Sequence, residues 1–209
     1  MKQFIIAAAL FLLTNVASAA QIDSADYLGD PRFNYPVVVT DSPIADARIN
    51  SVIRAEVQRF VEAVEKQAQE NDMQIGDISV DFKIPCNHNG GILSVLLTEY
   101  IYYEKAAHPS TIVRALNFNS YSGVRLTADS LSEIGSPDNG EPRYTPKNVT
   151  RKLREHVRKN NLFLYDDFTE LEQLPEDFYF DDELNVIFIF QQYEVAPYAI
   201  GIIQVNAGK

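Results

Sequence analysis

Two kinds of hydrophobic spacing alternate along the chain. Between Asp46 and Ala68, Ile49, Val52, Ile53, Val57, Phe60, Val61, Val64 and Ala68 recur every three or four positions. This spacing draws one apolar stripe and predicts an amphipathic helix, with Arg54, Glu56, Arg59, Glu62 and Lys66 mostly on the wet side. From Ile78 the period shortens to two: Ile78, Val80, Phe82 and Ile84 alternate with Ser79, Asp81 and Lys83. That is the pattern of a strand with one wet face, and Pro85 is expected to stop it. Cys86 to Gly91 reads as a tight turn. Ile92 to Glu104 and Thr111 to Asn119 read as long strands, and Ser120 to Gly123 as a hairpin turn into a short strand at Val124 to Leu126. Upstream, Tyr35 to Val39 is a short strand candidate.

The second half repeats this order in outline. Ser136 to Pro142 is a loop. Thr145 and Pro146 then open a helix, threonine as cap and proline in the first turn. Val149, Leu153 and Val157 give its apolar stripe; Lys147, Arg151, Lys152, Arg154, Arg158 and Lys159 make its other face basic. The acidic, aromatic stretch Asp166 to Glu183 follows, and weak surface ion pairs between the two are expected. The most apolar part of the chain past its start is Asn185 to Val205. It reads as two strands, Asn185 to Gln191 and Ile200 to Val205, at the centre of a sheet. A stiff corner, Tyr193 to Ala199, separates them, because Pro197 has no N–H for a ladder. The expected fold is α+β: an antiparallel sheet with two main helices packed on one side, as if two small α+β units shared it.

The chain has 209 residues, enough for one large domain or two small ones. Residues 1–20 read as a signal peptide: Lys2, an apolar run from Phe4 to Leu13, then Ala17-Ser18-Ala19 as a cleavage site. The run is too short to span a bilayer, and no later segment is long and apolar enough to do so. Residues 21–34 read as a loose leader. Residues 35–209 read as the folded part, divided at about 35–108 and 109–206. An exported, periplasmic or secreted, protein is therefore expected. Without Lys2 the balance is 17 basic against 29 acidic residues. An excess of acid excludes a nucleic-acid binder, which needs a basic face, and steers in cationic partners. Cys86 is the single cysteine, so no internal disulfide is available and the fold must rest on its core.

Candidate chemistry is sparse. Cys86, His88 and His108 do not make up a metal site, and no metal or cofactor is expected. The acidic stretch lacks the alternating oxygen ligands and central glycine of a calcium loop. No nucleophile elbow, phosphate-cradling loop or paired-histidine zinc motif occurs, so no catalytic residue is assigned. Tyr193, Pro197 and Tyr198 fit either core packing or a recognition surface, where stiff aromatic loops lose little entropy on binding. His108, in the loop Glu104 to Ser110, fits a turn histidine that hydrogen-bonds its own loop.

Three phrases together resemble a known family: Leu93 to Glu104 running into Ala107-His108-Pro109; Leu116-Asn117-Phe118-Asn119 with Gly123 and Leu126; and Tyr193 to Gly201. They are similar to the paired domains of unknown function in the ectodomain of the RsiV anti-sigma factor. Related modules precede the catalytic domain of PdaC-type peptidoglycan deacetylases. The resemblance covers about Tyr35 to Val205 and implies an α+β envelope domain without a catalytic centre. In the RsiV branch it implies binding of lysozyme, a cationic protein, with His108, Pro109, Ser110, Tyr193, Pro197 and Tyr198 as partner-binding residues. The receptor's membrane helix and sigma-binding segment have no counterpart here, nor does the deacetylase domain. Ala106 and Ala107 stand where the family has glycines. Two other readings stay open: a module that binds peptidoglycan, and an uncharacterised hydrolase with a raised-pKa carboxylate in a pocket.

Overall fold

A computed structural model describes residues 18–131 and 142–209. Residues 1–17 of the signal-peptide reading and most of the loop Ser136 to Pro142 lie outside these residues. The chain is α+β: the described residues form two α-helices and nine strands in three antiparallel sheets.

The first strands are β1 (Gln21–Asp26) and β2 (Asn34–Val39), paired with each other. The supposed leader is therefore part of the fold. Its polar sequence, QIDSAD, concealed an edge strand wetted on both faces, while Tyr27 and Phe33 beyond it are buried. Helix α1 (Pro43–Glu70) is capped by Ser42, whose hydroxyl accepts from the Ala45 N–H.

The main sheet has the order β3-β4-β5-β6, formed by β3 (Ile75–His88), β4 (Ile92–Tyr103), β5 (Ser110–Asn119) and β6 (Arg125–Leu126). Pro85 does not stop β3. The ladder shifts register between Lys83 and Cys86, and the irregularity takes up the residue that cannot donate. The tight turn is correspondingly shorter, at Asn89 to Gly91. There Gly91 has φ +88°, and a Cβ would sit 2.5 Å from the Tyr121 ring. The division expected near residue 108 falls in the β4–β5 hairpin, whose strands pair over ten positions, so it would cut one sheet.

Strand β4 is buried on both faces, which explains its near-continuous apolar sequence. Leu93, Val95, Leu97 and Ile101 pack with Ile49, Ile53, Val57 and Phe60 of α1. Leu96 turns the other way, toward Val113, Ala115 and Ile189.

Helix α2 (Pro146–Lys159) begins as expected: the Thr145 hydroxyl accepts from the Asn148 N–H and Pro146 follows. The third sheet has the order β7-β8-β9, from β7 (Phe178–Phe180), β8 (Val186–Phe190) and β9 (Ile203–Gly208). Strand β8 is central, as its apolar sequence predicts. The second strand starts three residues later than expected, because Tyr198–Ile200 forms a single tight turn. One face, Phe178, Phe180, Phe188, Phe190, Ile203 and Val205, packs on Val149, Leu153 and Val157 of α2. Each helix thus covers a different sheet.

Polar side chains join the two larger sheets. Ser94 and Asn117, opposite each other on β4 and β5, are buried and hydrogen-bonded at 2.7 Å. Asn117 donates to the Phe178 carbonyl (2.6 Å), and the Phe180 N–H donates to Ser94 (3.0 Å). These bonds satisfy the free edge of β7. The free edge of β5 is treated alike: Thr111 N–H donates to Gln192, Val113 exchanges two bonds with Gln191, and Ala115 N–H donates to Asp177. Three side chains do the work of a neighbouring strand.

Candidate functional site

The loop between β4 and β5 carries His108, Pro109 and Ser110; the loop after β8 carries Tyr193, Pro197 and Tyr198. They are 85 residues apart between His108 and Tyr193, and the fold brings them together. The His108 and Tyr198 rings stack with centroids 3.7 Å apart and planes at 22°. His108 Nε2 lies 3.0 Å from the Tyr193 hydroxyl, and the Tyr193 and Tyr198 rings are 5.7 Å apart.

The clamp on β5 produces this meeting. Gln191 and Gln192 are tied to Val113 and Thr111, so the next residue, Tyr193, emerges beside the start of β5. The turn is closed by Gln191 N–H donating to the Glu194 carboxylate at 2.7 Å. Tyr193 holds φ +66°, a left-handed conformation uncommon outside glycine. Val195 and Ala196 are buried and anchor the loop in the α2 core.

His108 also bonds its own loop, as its turn setting suggested. Nδ1 is 2.9 Å from the Pro109 carbonyl, which only accepts. Nδ1 therefore carries the proton, and in the neutral ring Nε2 accepts from the Tyr193 hydroxyl. Both ring nitrogens are engaged within the cluster. What it offers to solvent is aromatic surface, with Tyr193 55% exposed and Ser110 at the rim. Such a platform can stack on a sugar ring, an apolar side chain or a cation.

A charged cluster that the sequence reading missed lies between α1 and the main sheet. Glu99 of β4 is a lone acid in a strand buried on both faces, and only 1% of its side chain is exposed. Arg59 Nη2 is 3.3 Å from its Oε1, and Arg114 Nε is 3.8 Å from its Oε2. Glu56 and Asp177 share the same two guanidiniums, at 2.5 Å from Arg59 and 3.1 Å from Arg114. Three carboxylates face two cations. Burial pushes the Glu99 carboxyl up to about 7, against the pull of Arg59. Glu99 Oε2 and Arg114 Nε have no hydrogen bond.

Glu99 has the raised pKa expected of a hydrolase acid, but a side chain this enclosed cannot meet a substrate. A cleft of about 280 Å³ nearby is lined by Arg114, Glu172, Asp177, Gln191 and Glu194. Burial also raises the Glu194 carboxyl. Asp177 there is occupied by Ala115, Arg114 and Gln191, so its oxygens hold the fold. Among the described residues no three His, Cys, Asp or Glu side chains are grouped to hold a metal ion. Cys86 is buried, and burial raises its thiol to about 11. His88 accepts from the Gly90 N–H and shapes its turn.

Residues 132–206 match the model of a family described as protein of unknown function (DUF3298). The likeness to a domain of unknown function stands for that region. Two crystal structures of DUF3298 proteins share the fold across most of the chain. One, from Bacteroides fragilis NCTC 9343, is 14% identical with a TM-score of 0.55, over 90% of this chain and 87% of the other. The second, from Pseudomonas aeruginosa PAO1, is 12% identical with a TM-score of 0.54, over 90% and 88%. No curated protein matches the chain. No helix among the described residues is long and apolar enough to cross a membrane.

Proposed function

We propose that this protein is an exported envelope domain that acts by binding rather than catalysis, and that it docks a cationic protein partner, lysozyme being the candidate, on the His108–Tyr193–Tyr198 platform. The observation that carries this reading is the meeting of the two loops, with His108 stacked on Tyr198 at 3.7 Å and hydrogen-bonded to Tyr193. The rings are held before a partner arrives, so little rotamer freedom is lost on docking. The formal charge of −11 would speed encounter with a basic protein. The resemblance to the lysozyme-binding ectodomains points to the same loops.

The test is a titration of lysozyme at low salt and at about half-molar salt, where exposed charges are screened. Binding is expected at low salt and should fall steeply at high salt. Tyr198→Ala or His108→Ala should weaken it by about tenfold or more, as for a buried aromatic anchor. Absence of binding at low salt removes lysozyme as the partner. Binding to purified peptidoglycan that survives high salt and is lost in the same variants would favour a glycan ligand instead.

A further inference from the structure

The sequence predicts that basic α2 pairs with the acidic stretch after it, and this pairing does not occur. The one ion pair α2 makes among the described residues is internal, Arg151 to Glu155 at 2.6 Å. Arg154 reaches the acidic stretch but donates to the Phe168 and Thr169 carbonyls, lying over the Phe168 ring. Lys147, Arg158 and Lys159 are exposed and unpaired there.

Their spacing forms a line. Lys147, Arg151, Arg154 and Arg158 are separated by four, three and four residues, so they stack on one face. Successive rises along the axis are about 6, 4.5 and 6 Å, and the row is about 16 Å long. Arg143, two residues before the N-cap, is also exposed.

Helix stability does not account for this row. Basic residues in the last turn, here His156, Arg158 and Lys159, favour the helix dipole. Lys147 sits in the first turn, where a cation is unfavourable, and no acid occupies that turn. The apolar face of α2 is used up in the core, so the helix cannot insert into a lipid bilayer.

We propose that the exposed row on α2 binds a linear polyanion of the polyphosphodiester type, lying along the helix. The charge distribution decides between a thread and a sheet of negative charge. The whole chain is strongly acidic, and on α2 Lys147, Arg151, Arg154 and Arg158 line up on one helix face. A flat anionic membrane would bring the acidic remainder against like charge. A narrow polymer touches only the row, and phosphates separated by a short linker can match its spacing. No Phe, Tyr or Trp lies within α2, so the large stacking platforms that single-stranded nucleic-acid sites use are absent from the helix.

The probe is a fluorescently labelled glycerol-phosphate oligomer of defined length, titrated into the whole protein by anisotropy. With three or four phosphate contacts, affinity should fall about 20- to 50-fold between about 50 and 200 mM salt. The variant K147E/R151E/R158E should lose binding at every salt concentration and keep the wild-type circular dichroism. Arg154, which tethers the neighbouring loop, is left in place. If charge reversal perturbs folding, K147A/R158A should still weaken the complex at least fivefold. Absence of binding at about 50 mM salt overturns the proposal, as does undiminished binding by the variants. Capture by vesicles containing phosphatidylglycerol but not by the oligomer also overturns it, in favour of a membrane surface. Lysozyme binding should not be lost in these α2 variants, whose added negative charge can only favour a basic partner, so the two surfaces fail or succeed separately.

Discussion

Replacing Glu99 with glutamine should make the protein more stable at neutral and alkaline pH, although it removes one member of an ion cluster. Only 1% of the Glu99 side chain is exposed, and it titrates near 7 against 4.5 in an accessible setting. Below the lower value, folded and unfolded chains both hold the proton and Glu99 imposes no penalty. Between the two values the folded chain keeps a proton that the unfolded chain has released, so stability falls as pH rises. Above 7 the loss is complete. At about 1.4 kcal/mol per pH unit, the full penalty is at most about 3 kcal/mol. Glutamine keeps the shape and never ionises, so the gain at pH 8 approaches that figure, in which the attraction to Arg59 and Arg114 is already counted. Urea unfolding of both proteins at pH 5 and pH 8 measures it. The wild type should lose stability relative to E99Q between the two pH values, with little difference at pH 5. Parallel pH dependence in both would refute the reasoning. A wild type that gains on E99Q as pH rises would mean that Arg59 and Arg114 overcome burial and hold Glu99 ionised.

Two further outcomes test the interior. Asn117→Leu leaves the Phe178 carbonyl without its donor and the Ser94 hydroxyl without its acceptor, and should cost about 1–3 kcal/mol by denaturant unfolding. Cys86, buried and with its thiol held near 11, should resist a thiol reagent at pH 8 in the native protein and react at once in denaturant.

Local pattern carried much of the architecture. The three-to-four spacing of α1, the Thr145-Pro146 start of α2 and the unbroken apolar run of β8 each state their element within a few residues. Elements without that signature were hidden. Strand β1 is an edge with little apolar content, and β3 continues past a proline through a register shift visible only from its partner. The loops at residues 108 and 193 stood out by their aromatic and histidine residues and by resemblance, but nothing in either announces that a clamp on β5 joins them. Glu99 did leave a trace, as one acid within an apolar strand. Its meaning needed Arg59 from a helix 40 residues earlier and Arg114 from the next strand. The basic face of α2 was plain in sequence, but its failure to pair with the adjacent acids was not, because the nearest cation spends itself on carbonyls.

The side chains of Asp177, Gln191 and Gln192 that close off β5 come from a part of the chain synthesised some sixty to eighty residues later. Until that part emerges from the ribosome, or if proteolysis removes it, β5 presents an open row of donors and acceptors to any passing strand. Fragments ending before residue 177 should therefore stack into fibrillar aggregates, which makes the tail a built-in chaperone for the first half of the molecule.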